Sequence, residues 1–248
     1  MKSWKTADRR ARQDPSGPSP SSKWFRRRCT GHPLRYRAAL ASVLLACTLL
    51  TPVAADGEAD ALIKAARQGE LGVVRALVGS GTDPDARSEE GRTPLTEASA
   101  SGRVDIVEFL VRAGADIDRR AHGGITPLIA AAANGHYPVI GFLVGEGAHL
   151  DLQDRFDMTA LHYAAKLGML RAVALLADAG ANLNALSAGN ETPLFAAASK
   201  GQHDVVVELM ARGADAEVRN RRGLTPLDAA RNYGHPEVAA LLDSRAPR

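Results

Sequence analysis

Cysteine is scarce in this sequence, and its position narrows what the folded part of the chain can do. The two cysteines, Cys29 and Cys47, and both tryptophans, Trp4 and Trp24, all precede residue 56. The rest of the chain therefore has no thiol for a disulfide, for nucleophilic catalysis or for zinc binding. Aromatic residues make up 4% of the sequence, so a core must come mainly from aliphatic side chains.

Long apolar runs are also scarce, and the one at residues 38–50 is too short to span a membrane. Its 13 residues would cover about 20 Å as a helix, against a hydrocarbon core of about 30 Å. Two arginines precede the run, and the small residues Val53 and Ala55 stand three and one places before a potential cleavage point. This pattern predicts a secretory signal peptide at residues 34–55, cleaved after Ala55, and a periplasmic or secreted protein.

Alternatives to this interpretation of the leader remain open. Residues 1–33, rich in Pro, Ser and Arg, are either a disordered basic extension or untranslated, with translation starting at Leu34. The run "LLAC" resembles a bacterial lipobox that would acylate Cys47, although Leu45 stands where a small residue is usual. The apolar run could also be a core helix or a retained anchor. A membrane association is expected only if Cys47 is lipidated or the leader is retained.

Charge is divided unevenly along the chain. Residues 1–55 hold 11 Lys/Arg and 2 Asp/Glu, a net charge of +9, whereas residues 56–248 hold 20 and 26, a net charge of −6. The part expected to fold is acidic despite the overall pI of about 9.0. An acidic body disfavours nucleic acid as a partner.

A period of 33 residues runs through the rest of the chain. Threonine recurs at this spacing at Thr93, Thr126, Thr159, Thr192 and Thr225, and one further step back reaches Asp60. In all six copies leucine follows two places later, alanine five, glycine nine and leucine again seventeen places later. Chance does not produce four fixed columns in six copies.

Each column has a structural cause. Thr followed by Pro, as at Thr93 and Pro94, is typical of a helix N-cap with proline in the first turn. The leucine and alanine columns lie three residues apart on one helix face, and the glycine ends that short helix. A second apolar helix follows, such as "VDIVEFLVRAG". A polar loop then precedes the next threonine, with glycine two places before it, or Asp157 and Asn190, which tolerate positive φ.

These copies resemble ankyrin repeats, as in "GRTPLTEASASGRVDIVEFLVRAGADID" and "TALHYAAKLGMLRAVALLADAGANLN". The resemblance covers residues 58–243 and implies an all-α fold. The expected domain, residues 56–248, is an ankyrin-repeat solenoid of six stacked helix-turn-helix repeats with projecting β-turn loops. The repeats would start near residues 60, 93, 126, 159, 192 and 225. The first copy lacks Thr-Pro, and divergence is expected in terminal copies.

Candidate catalytic or metal-binding residues have structural explanations. His162 occupies the histidine column of the family motif, where the side chain generally bonds loop backbone. No histidine pair has the i, i+4 spacing of a zinc-binding helix, and no nucleophile–base pair stands out. We therefore expect no catalytic residue, metal or cofactor, and a protein that is not an enzyme.

By resemblance, the partner of such a protein is another protein, bound by loop tips and the adjoining surface of each first helix. These positions lie four, three and one before the threonine, and seven and eight after it. The candidate binding residues are Glu89, Glu90, Arg92, His122, Ile125, Arg155, Phe156, Met158, Lys166, Leu167, Glu191, Lys200, Arg221, Arg222, Leu224 and Tyr233. Phe156 either contacts the partner or folds back on its own turn.

The composition suits a high-GC bacterium, and exported bacterial proteins of this type suggest two roles by resemblance. They support periplasmic peroxide defence beside a catalase, or neutralise toxins as immunity proteins. We expect an exported protein that mediates a protein–protein interaction. A membrane-tethered lipoprotein scaffold is the alternative, and an enzyme is a more remote one.

Overall fold

The computed structural model describes residues 55–245 as twelve α-helices and one short 3₁₀ turn at His122–Gly124, with no β-strand in this range. The first helices of the six repeats are α1 Ala55–Gln68, α3 Pro94–Ala100, α5 Pro127–Ala133, α7 Ala160–Lys166, α9 Pro193–Ser199 and α11 Pro226–Asn232. The second helices are α2 Leu71–Gly79, α4 Val104–Arg112, α6 Tyr137–Gly145, α8 Leu170–Asp178, α10 His203–Ala211 and α12 Pro236–Arg245. The predicted all-α fold is confirmed.

The helices keep the period of the sequence. From the second repeat on, each first helix begins directly after its threonine. In four repeats the threonine Oγ1 accepts the backbone N–H three residues later, as in the 3.2 Å bond from Ile129 to Thr126. This bond satisfies one of the amides that a helix start leaves unpaired, which explains why threonine recurs.

Two residues replace glycine in the loop column before the threonine, and both adopt the conformation expected of glycine. Asp157 has φ 55° and Asn190 has φ 56°. These are the only two non-glycine residues with positive φ among the described residues. The substitution therefore preserves the turn, as the sequence predicted.

The core runs continuously from repeat to repeat. First helices pack on neighbouring first helices, and second helices pack on neighbouring second helices. The first leucine column is buried in the first five repeats, with Leu62, Leu95, Leu128, Leu161 and Leu194 at most 1% exposed. No helix pair could bury this face alone, so stacking supplies the stability.

The last repeat ends the stack with charge. Asp228 and Arg231 stand at positions where the other five repeats have buried residues. In the fifth repeat, for example, these residues are Phe195 and Ala198. The carboxylate of Asp228 accepts the backbone N–H of Thr225 at 3.0 Å, which lowers the pKa of Asp228. These charged groups make the terminal face compatible with water, as a capping repeat requires.

The first repeat begins with a longer helix than the other repeats. The expected repeat start near residue 60 lies within α1, which spans Ala55–Gln68. Asp60 stands where the later repeats have threonine, so the threonine cap that precedes their first helices is missing here. The predicted extension, signal peptide and lipobox lie outside the described residues, apart from Ala55 itself.

Between residues 55 and 245, none of the helices combines the length and apolarity needed to cross a bilayer.

Candidate protein-binding surface

Four of the loop tips are shaped by the side chain of a residue five places before the threonine. In the fourth repeat this residue is Asp154, whose Oδ1 accepts the backbone N–H of Phe156 at 2.8 Å and of Met158 at 3.0 Å. Ser88, Ser187 and Asn220 accept tip amides in the same way. Side chains of Ser, Asn and Asp are suited to this role because they can replace a backbone acceptor in a turn.

The third repeat closes its tip differently. Ala121 stands at the corresponding position and has no side-chain acceptor. Gly123 and Gly124 there adopt φ of 75° and 76°, and the tip forms the short 3₁₀ turn. Two glycines make this turn possible without strain.

Backbone hydrogen bonds join neighbouring tips. From the third repeat on, the residue four places before the threonine donates its N–H to a carbonyl oxygen of the preceding tip. His122 donates to Gly91 and Arg155 to Gly123, both at 2.8 Å. Ala188 donates to Phe156 at 2.8 Å, and Arg221 to Gly189 at 2.9 Å. These bonds set the spacing of the tip side chains before any partner binds.

The surface defined by the tips and the adjoining first-helix positions is called the tip face below. Every candidate binding residue lies on it with its side chain exposed or partly exposed. The exposed ones are Glu89, Glu90, His122, Arg155, Phe156, Lys166, Leu167, Lys200, Arg221, Arg222 and Tyr233. Those of intermediate exposure are Arg92, Ile125, Met158, Glu191 and Leu224.

Phe156 is half exposed and is covered on one side by its neighbour. Its residue exposure is 51%, and the guanidinium of Arg155 lies 4.7 Å from the ring centroid. This is the distance of a cation–π contact. The ring is therefore held by Arg155 while part of its surface stays open to solvent.

A groove of about 880 Å³ opens on the tip face of the second to fourth repeats. Small side chains, Ala100, Ala130 and Ala133, line it between the larger Glu97 and Tyr163. Because the neighbouring repeats carry larger residues in these columns, the alanines leave a depression.

Glu97 and Tyr163 were not among the candidate residues predicted from the sequence. Both stand four places after their threonine, in the column that also holds Ala130. Positions three and four residues apart share a helix face, so this column faces the same side as positions seven and eight. That spacing could have identified both residues.

Ion pairs neutralise the charges around this groove. The guanidinium of Arg92 lies 2.8 Å from Glu90 and 3.9 Å from Glu97, and Arg67 lies 3.9 Å from the same Glu97. Each pair is partly exposed, so each contributes little to stability. Their effect is to leave few free charges on this part of the tip face.

Tyr163 is linked to the fourth tip through Asp154. Its hydroxyl donates to the Asp154 carboxylate at 2.7 Å. Burial, helped by this hydrogen bond to an anion, raises the pKa of Tyr163 to about 12. Tyr163 therefore stays protonated and fixes both the groove wall and the tip.

His162 has the structural role expected from the sequence. Its Nδ1 accepts the backbone N–H of Thr159 at 3.1 Å, and its Nε2 lies 2.9 Å from the carbonyl oxygen of Glu191 in the next loop. Burial lowers its pKa, which favours the neutral imidazole that can accept at one nitrogen and donate at the other.

Within residues 55–245 the structure brings together no group of three or more His, Cys, Asp or Glu side chains suited to holding a metal ion.

Comparison with known families agrees with this architecture. A model of ankyrin repeats (3 copies) matches residues 37–121 and 120–187, and a model of ankyrin repeats (many copies) matches residues 175–230. The chain therefore belongs to the ankyrin-repeat family. Ankyrin repeats mediate binding to other proteins, and proteins built from them are typically non-enzymatic scaffolds. A search of curated proteins found no match.

Proposed function

We propose that this protein works by binding another protein through its tip face. The observation that carries this proposal is that the tips are fixed by hydrogen bonds between repeats while their side chains remain exposed. Pre-organisation of this kind reduces the entropy lost on binding. The packing columns account for the buried residues but require none of the large tip side chains, such as Phe156, which is 51% exposed.

The shape of the surface favours binding over catalysis. The groove is open, whereas a catalytic site generally excludes water around its reacting groups. Among its ionisable side chains, Glu90 and Glu97 both pair with Arg92. We accordingly propose a binding protein with no enzymatic activity of its own.

We also propose that the protein is exported to the periplasm of a bacterium. The signal-peptide pattern at residues 34–55 and the absence of cysteine after residue 47 support this proposal. N-terminal sequencing of the protein from its host tests it. Asp56 as the first residue is expected, whereas a blocked N-terminus at Cys47 would indicate the tethered lipoprotein instead.

The binding proposal is tested by capture of a partner from a periplasmic extract of the host. A variant with Glu90→Ala, Phe156→Ala and Tyr233→Ala is expected to lose the partner that the unchanged protein retains. Its matched control carries Glu146→Ala, Tyr137→Ala and Leu170→Ala, at or near the second helices.

The proposal fails if the control loses the partner and the tip-face variant retains it. The identity of the captured protein also distinguishes the two suggested roles, since a catalase would indicate peroxide defence and a toxin would indicate immunity.

A further inference from the structure

The tip face of the last three repeats carries an unusual concentration of positive charge. Its cations are Arg155, Lys166, Lys200, Arg221 and Arg222, which we call the basic strip. All five residues are exposed, and the acids among them are Glu191 in the same columns and Asp157 at the fourth tip. The strip stands out because residues 56–248 as a whole have a net charge of −6.

The cations of the basic strip have no acidic partner within the protein. Among the described residues, none of its five cations takes part in an ion pair. By contrast, Arg92 in the second repeat pairs with two glutamates. A cation without an ion pair is available to a carboxylate of the partner, because no internal ion pair has to be broken first.

The backbone holds the strip in place. Arg155 and Arg221 each donate their N–H to the preceding tip, and Arg222 donates its N–H to Asn220 Oδ1 at 2.9 Å. Adjacent repeats follow one another at the distance of packed helices, about 8–10 Å. The backbone positions of these three arginines are thus set by the repeat framework.

Apolar side chains lie within the same row. Phe156, Leu167 and Tyr233 are 51%, 48% and 58% exposed. The Arg155 guanidinium lies over the Phe156 ring. A guanidinium stacked on a ring can still donate hydrogen bonds from its edge to a carboxylate, because its N–H groups lie in its plane. The surface therefore combines anion recognition with apolar contact.

Resting on the proposed binding function, we propose that the basic strip docks an acidic segment of the partner protein that also carries apolar side chains. Carboxylates of the segment would pair with the five cations, and its apolar residues would cover Phe156 and Tyr233. A polynucleotide fits less well, because its dense phosphate charge would meet Glu191 within the strip and an acidic protein around it.

Selection from a random peptide library displayed on phage tests this inference, with the purified protein as the target. We expect the enriched peptides to be rich in Asp and Glu and to contain aromatic or aliphatic residues. Arg221→Glu with Arg222→Glu should weaken binding of a synthesised enriched peptide by about tenfold or more, because like charges then face each other. Its affinity should also fall as ionic strength rises above about 0.15 M.

The chain offers a matched control for the charge reversal. Arg119 and Arg120 are another exposed adjacent pair, at the base of a loop rather than at its tip. Arg119→Glu with Arg120→Glu changes the net charge by the same amount. The peptide affinity of this control should stay within about twofold of the unchanged protein, because net charge alone acts weakly and at long range.

The outcomes separate this inference from the proposed function. Enriched peptides that are basic or uncharged, or that bind both double variants equally, overturn the acidic-segment inference while the binding function stands. Failure to capture any partner through the tip face in the extract experiment overturns the function itself. Tighter binding of a single-stranded DNA probe, of phosphatidylglycerol vesicles or of a second copy of the protein, dependent on Arg221 and Arg222, also overturns the inference.

Discussion

The two halves of the tip face, in the first three and the last three repeats, share one packing framework but carry different surface side chains. In the first three repeats, alanines form the floor of the groove that extends to Tyr163 of the fourth, and Arg92 pairs with Glu90 and Glu97. In the last three repeats the five cations of the basic strip form no ion pair, and large apolar residues such as Tyr233 are exposed. The framework columns are nearly identical in both halves, so the difference comes from the variable positions alone.

This comparison indicates how one repeat framework supports distinct recognition. The buried columns are fixed by packing, and a change there would cost stability. The tip columns contribute little to the core, so they can differ from repeat to repeat without affecting the fold. We infer that the first half recognises a partner mainly by the shape of its groove, and the second half mainly by its positive charge.

The largest predicted effect concerns the residue that holds the fourth tip. Asp154 is 6% exposed and accepts hydrogen bonds from Phe156, Met158 and Tyr163. Asp154→Ala would leave these donors unpaired and should lower the free energy of unfolding by about 3 kcal/mol. Urea denaturation followed by circular dichroism measures the change.

The matched control is Ser88→Ala in the first half, where the hydroxyl accepts one tip amide at 3.1 Å. A loss of about 1 kcal/mol is expected, comparable with one neutral hydrogen bond. Equal losses in the two variants would contradict the special role assigned to Asp154.

Sequence reasoning predicted the helices better than the surface. The 33-residue columns revealed caps, packing faces and turns because each column requires a particular residue type, as Thr126 and Asn190 illustrate. Pairing between side chains has no such signature. The bond from Tyr163 to Asp154 and the stacking of Arg155 on Phe156 depend on three-dimensional proximity and rotamers, so they could not be derived from spacing. The groove was not predicted from the sequence, because small alanines form a depression only where larger side chains stand beside them.

The next effect concerns binding to the charged half. Phe156→Ala should weaken partner binding by roughly 2 kcal/mol if the ring is an anchor. Its matched control is Leu170→Ala on α8, whose 40% exposure is similar but which lies away from the tips. Isothermal titration with the captured partner gives both values. Unchanged affinity together with an unchanged melting temperature would exclude Phe156 as an anchor.

A smaller effect is expected inside the first half. Ser99 is fully buried, and its hydroxyl has no hydrogen-bond partner among the residues that the structure describes. The equivalent positions hold alanine in Ala66, Ala132, Ala165 and Ala198. Ser99→Ala should therefore stabilise the protein by about 1 kcal/mol, because an unsatisfied buried polar group is removed. A decrease in the denaturation midpoint would show that the hydroxyl is satisfied in solution.

The smallest effect, and the one that compares the halves most directly, is the response to acid. Burial lowers the pKa of His162 in the fourth repeat below its usual value of about 6.5. Above that pH both folded and unfolded forms are neutral at this residue. As the pH falls through about 6.5 towards the folded pKa, the unfolded chain binds the proton first, so His162 should make the protein lose stability in this window.

His149 in the third repeat should act in the opposite direction. Its side chain is exposed, and the hydrogen bond to Asp118 raises its pKa. Its stabilising contribution is therefore present below about pH 6.5 and disappears as the pH rises through the folded pKa. Denaturation between about pH 5 and pH 8 should show a weaker acid loss in His162→Gln and a steeper one in His149→Gln. Parallel curves for all three proteins would mean that neither histidine is linked to folding, since a single titrating group must change the slope as well as the height of the curve.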